Sequence, residues 1–213
     1  MGTTEQKHID YIYKNMSLDE IPWNVETPPA LLVELIDTGK VKPCRAIDLG
    51  CGAGNHAVYL AGRGFEVTGV DISPTAIKIA KENAQRKGVN CNFLVTDVVQ
   101  GLDELRQTWQ FAYGWGLLHH VSPKQRQKYV DNVSRILDPG GKYLSVSFSE
   151  KDAGFAASGN RRQSQLGTVL YFSSEDQLRK LFETHFRIID LRTIEIAGKF
   201  EPHIFNYVFM EKK

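Results

Sequence analysis

Residues 48–55 read DLGCGAGN, a carboxylate followed by three alternating glycines. Glycines at this spacing let the backbone approach a ligand closely because they carry no Cβ atom. Counted from Gly50, the sixth position is Asn55, so the G-x-G-x-x-G pattern of dinucleotide sites is not met, and no phosphate-binding G-x-x-x-x-G-K-[ST] loop occurs. Asp48 would repel a pyrophosphate. The loop therefore predicts a nucleotide-like cofactor of cationic or zwitterionic character.

Two further carboxylates follow at the ends of predicted strands, Asp71 in EVTGVD and Asp97 in FLVTDV. A carboxylate in the place of Asp71 can accept both ribose hydroxyls of an adenosine. A side chain or backbone group at Asp97 could reach an adenine amino group. An Asp at a strand end can also cap a turn. Three such residues at successive strand ends, beside a glycine loop, indicate one nucleoside site.

The stretch YGWGLLHHV at 113–121 places His119 and His120 just beyond a predicted strand. Imidazole can act as a base near neutral pH, so His119 is the candidate general base. Neighbouring side chains point to opposite sides, so at most one of the two faces a pocket. No third ligand has a suitable spacing, so we predict no metal site. His203 in EPHIF either reaches the pocket mouth and the substrate or starts an edge strand.

The elements that must position these residues alternate between strands and helices up to residue 148, which predicts a parallel sheet with helices on both faces. Ligands of such sheets bind at the carboxyl ends of the strands, where the strand order reverses. No helix separates the last two strands, so they pair as antiparallel neighbours. The predicted strands are 45–49, 66–70, 91–95, 111–115, 142–148, 188–196 and 204–209.

Helix boundaries come from capping residues. Thr27 with Pro28 at the first helical position predicts a helix that ends at Gly39. Ser73-Pro74 and Ser174 are predicted to open two further helices, and Ser122 with Gln125 forms the pattern of a capping box. Residues 138–141 read DPGG, which predicts a turn.

The segment 149–170 is polar and glycine-rich, and its pattern assigns no regular element. It contains GNRRQSQLG, in which Arg161 and Arg162 could hold an anionic substrate on a lid or substrate loop. The alternative is a solvated loop with two basic residues of no function.

Composition narrows the class of protein. The chain has 213 residues, 42% hydrophobic and 24% charged, as expected for one globular domain. A net charge of +1 gives no support for a nucleic-acid partner. No apolar run reaches 18 residues and no signal-peptide pattern occurs, so we expect no membrane association. An odd count of three cysteines favours a cytoplasmic location. Monomer and homodimer remain equally open.

The motifs AIDLGCGAGNHAVYLA, VTGVDISPTAI, FLVTDV, GLLHHV and ILDPGGKYL follow one another over residues 44–148. In kind and order they resemble those of class I S-adenosylmethionine-dependent methyltransferases. The segment IPWNVETPPALLVEL is similar to the small-molecule thiopurine, halide/thiol and tellurite-resistance group. The resemblance implies a Rossmann-like fold with a mostly parallel seven-stranded sheet and an antiparallel last strand. It also implies S-adenosylmethionine as methyl donor, S-adenosylhomocysteine as product, and a small-molecule nucleophile as acceptor.

The resemblance also assigns cofactor contacts. The implied residues are Asp48, Gly50, Gly52 and Asn55 around the methionine part, Asp71 at the ribose, Ile72, Asp97 and Val98 at the adenine, the Gly114 backbone at the sulfonium, and Trp23 as a cover. One departure concerns the fourth strand, where relatives often carry F-D-x-x-x-D. Gln110 and Gly114 replace both acidic residues, which leaves a base role there open.

The whole chain, 1–213, is predicted as one methyltransferase domain. Its parts are an N-terminal helical cover at 1–40, a cofactor-binding core at 41–148, a substrate or lid loop at 149–173, and a C-terminal helix with antiparallel strands at 174–213. Three alternatives remain: a methyltransferase acting on protein or nucleic acid, a cofactor-binding module without catalysis, and a nicotinamide reductase. The glycine spacing disfavours the last of these.

Overall fold

The computed structural model describes residues 4–155 and 159–213. These residues contain a seven-stranded sheet in the order β3-β2-β1-β4-β5-β9-β8. Strand β9 runs antiparallel to both neighbours, and β1 to β5 are mutually parallel, which confirms the predicted sheet. The strands are β1 Arg45–Leu49, β2 Glu66–Asp71, β3 Cys91–Val95, β4 Trp109–Trp115, β5 Leu137–Phe148, β8 Phe186–Ala197 and β9 Pro202–Lys212.

Helices cover both faces of this sheet. They are α1 Thr4–Asn15, α2 Ala30–Asp37, α3 Asn55–Gly62, α4 Pro74–Lys87, α5 Arg126–Ile136 and α6 Glu175–Phe182. Two 3₁₀ turns occupy Leu102–Glu104 and Leu118–His120. Within the described residues, no helix has the length and apolar character needed to cross a membrane.

Two hydrophobic layers hold the sheet. One joins α2, α3 and α4 to strand residues such as Ala46 and Phe111, and the other joins α5 and α6 to residues such as Ile47 and Ala112. Neighbours along one strand enter opposite layers because side chains alternate across a sheet. Strands buried on both faces read as the continuous apolar runs seen in the sequence.

Two helix starts lie later in the chain than predicted. Helix α2 begins at Ala30 with Pro29 as its N-cap, and no side chain caps it. Pro29 disfavours helical geometry at Pro28, so the helix cannot begin at Pro28. Helix α5 begins at Arg126, because the Ser122 hydroxyl donates to the Gln125 side chain instead of capping a backbone N–H.

The two other capping predictions are confirmed. The Ser73 hydroxyl accepts from the N–H of Ala76 at the start of α4. Ser174 and Gln177 form a reciprocal capping box on α6. The turn predicted at 138–141 and the predicted strand start at 142 are wrong, because β5 begins at Leu137 and the DPGG segment lies inside it, where the register with β4 shifts between Trp109 and Phe111.

Regular elements occur in the described parts of the N-terminal cover and of the segment 149–170, which the sequence left unassigned. Helix α1 presents Ile12 and Tyr13 to Ala76 of α4, which provides the first part of the predicted N-terminal cover. The predicted lid region contains a hairpin of β6 Arg161–Gln163 and β7 Val169–Tyr171. Residues 156–158 of that lid and residues 1–3 of the cover lie outside the described residues.

Candidate functional site

A cavity of about 1580 Å³ lies at the carboxyl ends of β1, β2, β3 and β4. The strand order reverses between β1 and β4, which is where open α/β sheets bind ligands. A pocket for one drug-sized ligand usually measures roughly 300–1,000 Å³. The cavity therefore has room for two ligands side by side.

The glycine loop forms one wall of the cavity, and its backbone conformation requires glycine. Gly50, Gly52 and Gly54 have φ angles of 71°, 53° and 77°, in the left-handed region. A Cβ at Gly50 would lie 2.8 Å from Leu117 Cδ1, and one at Gly52 would lie 2.6 Å from the Tyr13 hydroxyl. Any larger residue at these two positions would strain the backbone and displace a neighbour.

Asp71 connects the end of β2 to this loop. One carboxylate oxygen accepts from the Gly52 N–H at 2.9 Å, and the other accepts from the Ser73 N–H at 2.9 Å. Burial raises the pKa of Asp71, and hydrogen bonds from backbone N–H groups act in the opposite direction. The carboxylate is held at the cavity wall, where its remaining lone pairs can accept hydroxyl groups.

Asp48 lies beneath the loop and does not line the cavity. It is buried, and its Oδ2 has no hydrogen-bond partner within residues 4–155 and 159–213. Burial, together with the charge of Asp71, raises the pKa of Asp48 to about 8. The two carboxylates thus create a site where a bound cation would be favoured, because an opposite charge stabilises the ionised form of each.

Asn55 links the core to the N-terminal segment at the cavity edge. Its amide donates to Asn24 Oδ1 at 3.0 Å and to the Val25 carbonyl at 3.2 Å. Its own Oδ1 accepts from Asn83 at 2.8 Å. Asn55 therefore fixes the position of the segment that covers the glycine loop.

Trp23 belongs to this cover and lines the cavity. Its indole N–H donates to the Tyr13 hydroxyl at 2.9 Å, and its ring centroid lies 6.3 Å from that of His120. Tyr13 was not predicted as a site residue, although Ile9, Ile12 and Tyr13 have the spacing of one helical face.

The predicted adenine residues lie together at the other end of the cavity. Ile72, Asp97 and Val98 all line it. Asp97 Oδ1 accepts from the N–H of Val99 at 2.8 Å and of Gln100 at 3.3 Å, which fixes the turn after β3. The Gln6 amide donates to the Ile72 carbonyl, so α1 closes this end.

Gly114 does not line the cavity, whereas Gly116 does. A Cβ at Gly114 would lie 3.3 Å from the Tyr143 hydroxyl and 3.4 Å from the Tyr129 hydroxyl. These two hydroxyls are hydrogen-bonded to each other at 2.7 Å. The buried tyrosine pair fills the space that an acidic side chain would need.

The two predicted substrate arginines also lie outside the cavity lining. Arg161 is exposed on β6. Arg162 is buried, and its guanidinium donates to the carbonyls of Asp152, Gly154, Gly159 and Glu150 while lying 4.0 Å from the Phe172 ring centroid. Arg162 therefore holds the chain around the β6–β7 hairpin together.

Besides His203, three histidines line the cavity, namely His56, His119 and His120, so the prediction that at most one of the last two faces a pocket is wrong. Burial lowers the pKa of His119 well below its usual range, and neighbouring His120 lowers it further. Burial also lowers the pKa values of His120 and His56 to about 4. The sequence predicts His56 only as a surface or capping residue, but it lines the cavity and its Nδ1 pairs with the Tyr113 hydroxyl at 3.2 Å. All three rings are neutral at pH 7.

Aromatic side chains line the part of the cavity away from the glycine loop. Phe148 stacks on Phe205 with ring centroids 4.6 Å apart, and the edge of Phe155 packs against Phe148 at 5.2 Å. Trp115 and His203 lie in the same lining. This half of the cavity suits a flat apolar molecule.

Lys199, in the turn between β8 and β9, holds residues 18–25, which form the roof of the cavity. Its ammonium donates to the carbonyls of Leu18 at 2.8 Å and Asn24 at 3.0 Å, and a third carbonyl, that of Ile21, lies at 3.5 Å. No pattern in the sequence marks Lys199, because its partners lie about 180 residues earlier.

No group of three or more His, Cys, Asp or Glu side chains suited to a metal ion occurs among the described residues.

Residues 46–141 match a family model described as a methyltransferase domain. The 2-heptyl-1-hydroxyquinolin-4(1H)-one methyltransferase of Mycobacteroides abscessus is 33% identical over 132 residues, which cover 61% of this chain and 56% of that protein. A tRNA N(3)-methylcytidine methyltransferase of Drosophila melanogaster is 27% identical over 188 residues, covering 79% and 56%. The chain spans about half the length of the curated relatives it matches.

Among solved structures, the 1,6-didemethyltoxoflavin-N1-methyltransferase of Burkholderia thailandensis superposes with a TM-score of 0.74. The match covers 98% of this chain and 87% of that one, at 19% identity. That structure holds 1,6-didemethyltoxoflavin and S-adenosylhomocysteine. The likeness establishes the shared fold.

Proposed function

We propose that this chain is a class I S-adenosylmethionine-dependent methyltransferase, which transfers a methyl group from S-adenosylmethionine to a small-molecule nucleophile and releases S-adenosylhomocysteine. The observation that carries this proposal is one cavity lined by the glycine loop, Asp71 and Asp97, with space left beside them. The toxoflavin enzyme, which holds the product nucleoside and a small acceptor, supports it by analogy.

The residues of the first half of the cavity fit this donor. Asp71 would accept the ribose hydroxyls, and Ile72, Asp97 and Val98 would bound the adenine. The raised pKa values of Asp48 and Asp71 indicate a site that gains from a nearby cation. When bound, the donor supplies a methyl group already activated on a sulfonium. The protein's own contribution is alignment of the acceptor and exclusion of water.

The second half of the cavity supports a small acceptor. The opening is covered by the N-terminal segment that Lys199 holds and by the hairpin that Arg162 holds. These covers leave an aromatic-lined space beside the donor site. The three cysteines are free, in keeping with the proposed cytoplasmic location.

Calorimetry tests the donor site directly. S-adenosylhomocysteine should bind and NADH should not. Asp71→Ala should weaken the binding of S-adenosylhomocysteine more than tenfold, since a charge-assisted hydrogen bond contributes about 1.5–3 kcal/mol. Asp37→Ala, at an exposed ion pair on α2, is the matched control and should bind normally. Binding of NADH without binding of the homocysteine nucleoside would refute the proposal.

A second candidate acceptor is RNA, which the Drosophila relative favours. Two incubations with radiolabelled donor distinguish RNA from a small-molecule acceptor. One contains bulk tRNA, and the other contains a panel of thiols, phenols, amines, halides and metalloid oxyanions. Transfer of label to tRNA, with none to the small molecules, would show that RNA is the acceptor instead of a small molecule. Binding of the nucleoside with no transfer to any acceptor would favour a cofactor-binding module without catalysis.

A further inference from the structure

Asp152, in the turn after β5, is buried and holds His203 at the start of β9. Its Oδ2 accepts from the Ile204 N–H at 2.6 Å and lies 3.2 Å from His203 Nδ1. Its Oδ1 accepts from the Gly154 N–H at 2.8 Å. The carboxylate is therefore fixed by two backbone groups and directed at one imidazole nitrogen.

This contact sets the tautomer of His203. An ionised carboxylate only accepts hydrogen bonds, so the proton of the neutral ring lies on Nδ1 and Nε2 keeps its lone pair. The ring also stacks on Phe155, with centroids 5.1 Å apart and planes within 11°, and meets the edge of Phe148 at 5.2 Å. Packing and hydrogen bonding thus fix one orientation of a residue that lines the cavity.

His119 has the opposite arrangement. Its Nδ1 accepts from the Phe148 N–H at 3.3 Å, so its single proton lies on Nε2. With its pKa also far below the usual range, His119 is a hydrogen-bond donor at Nε2 and a poor proton acceptor. Of these two histidines, only His203 is prepared to take a proton from a ligand.

Building on the proposed function, we propose that Asp152 and His203 form a general-base pair and that the acceptor is a flat aromatic compound with a hydroxyl group. The hydroxyl proton passes to His203 Nε2 as the oxygen bonds to the methyl carbon. The carbon–sulfur bond breaks with its electron pair remaining on sulfur, and the imidazolium then releases its proton to water.

The charges around His203 support this role. Asp152 faces it from the turn after β5, and Glu201 Oε1 lies 3.7 Å from Nε2, beyond hydrogen-bond distance. His119, on the 3₁₀ turn after β4, is neutral. Asp152 and Glu201 therefore stabilise the imidazolium that forms during transfer.

The nature of the acceptor follows from the lining and from the base. The aromatic surfaces of Trp115, Phe148 and Phe155 favour a planar ring system. A thiol ionises readily near neutral pH, whereas an aromatic hydroxyl of ordinary acidity does not, so only the hydroxyl needs the base.

Two acceptors of the same shape, one with a hydroxyl and one with a thiol, test whether only the hydroxyl needs the base. Transfer to 2-naphthol and to naphthalene-2-thiol is measured for the wild type and for His203→Gln. We expect His203→Gln to lose about 100-fold on the naphthol, the lower range for a general base, and to stay within a few-fold on the thiol. His185→Gln, which removes a histidine paired with Asp131 at 2.8 Å outside the cavity lining, should leave both rates unchanged.

Asp152 acts as a positioning residue. Nitrogen NMR of the histidine side chains measures its effect on the His203 tautomer, and this measurement needs no methyl transfer. Wild-type His203 should carry its proton on Nδ1. In Asp152→Asn the new amide can donate to Nδ1 and move the proton to Nε2, and naphthol transfer should fall with it.

The general-base pair would be refuted if His203→Gln lowered the transfer rates to the naphthol and to the thiol equally. It would also be refuted if wild-type His203 carried its single proton on Nε2. A third contrary result is a wild type that binds S-adenosylhomocysteine but transfers no methyl group to any aromatic hydroxyl. Absence of nucleoside binding would instead refute the proposed function itself, so calorimetry on the same samples distinguishes the two failures.

Discussion

The hydroxyl of Tyr13 on α1 lies where a Cβ atom at Gly52 would come within 2.6 Å of it. The same hydroxyl accepts from the indole of Trp23, and Gly52 donates its N–H to Asp71. One close approach thus connects the N-terminal cover, the glycine loop and the proposed ribose carboxylate. A change at Gly52 must disturb all three.

Gly52→Ala should weaken the binding of S-adenosylhomocysteine at least tenfold. The methyl group would meet Tyr13, and the φ of 53° is strained for alanine. Calorimetry measures the effect. Gly62→Ala, on α3 with nothing within 4 Å of its added Cβ, is the matched control and should bind normally. Equal affinities in the two variants would contradict the predicted role of the loop.

Asp48 should make unfolding depend on pH. Its pKa is about 8 in the folded protein and about 3.9 when unfolded, so the folded state holds the extra proton between these values. The stability that this proton gives is complete below about pH 4 and is lost as pH rises through about 8. In urea titrations without ligand, wild type should lose stability relative to Asp48→Asn between pH 5 and 8. A pH-independent difference between them would refute the shift.

The two adjacent arginines should behave differently. Arg162→Met leaves buried carbonyls without a donor and should lower the free energy of unfolding by roughly 3 kcal/mol. Arg161→Met, at the exposed neighbour, should change it by less than about 0.5 kcal/mol. Chemical denaturation compares them. A loss of acceptor affinity in Arg161→Met with normal stability would restore the substrate role that the sequence suggested.

Lys199→Met should loosen the roof of the cavity. Hydrogen exchange at residues 18–25 should become faster, and S-adenosylhomocysteine should dissociate faster, because the segment loses the bonds to its carbonyls. Lys78→Met, at an exposed i,i+4 pair on α4, should alter neither. Unchanged exchange in Lys199→Met would mean that the bonds from Asn55 and the packing of α1 hold the segment without Lys199.

Much of the fold could be predicted because its signals are local. The apolar runs of β1 to β5 and the Ser73 and Ser174 caps each lie within a few residues of the structure they specify. The start of α2 lies later than Thr27 and Pro28 predict, because Pro29 disfavours helical geometry at Pro28. The strands of the β6–β7 hairpin are three residues long, too short to show an alternating pattern.

The candidate site, too, could be predicted only where its sequence signals are local. The glycine loop, Asp71 and Asp97 lie at strand ends that topology brings together, so their motifs predict their placement at the cavity wall. The pairing of Asp152 with His203 spans 51 residues and depends on the antiparallel pairing of β5 with β9. No spacing rule in the sequence predicts such a contact. Whether each predicted residue binds the donor stays a prediction.

The bonds from Lys199 to Leu18 and Asn24 also bear on synthesis of the chain. The walls of the donor site are complete once β4 has formed. The bonds from Lys199 to the N-terminal segment form only after the β8–β9 turn has left the ribosome. A nascent chain that stops before that turn would hold its N-terminal cover through Asn55 and α1, without the bonds from Lys199. Firm retention of the nucleoside is therefore a late event in biogenesis.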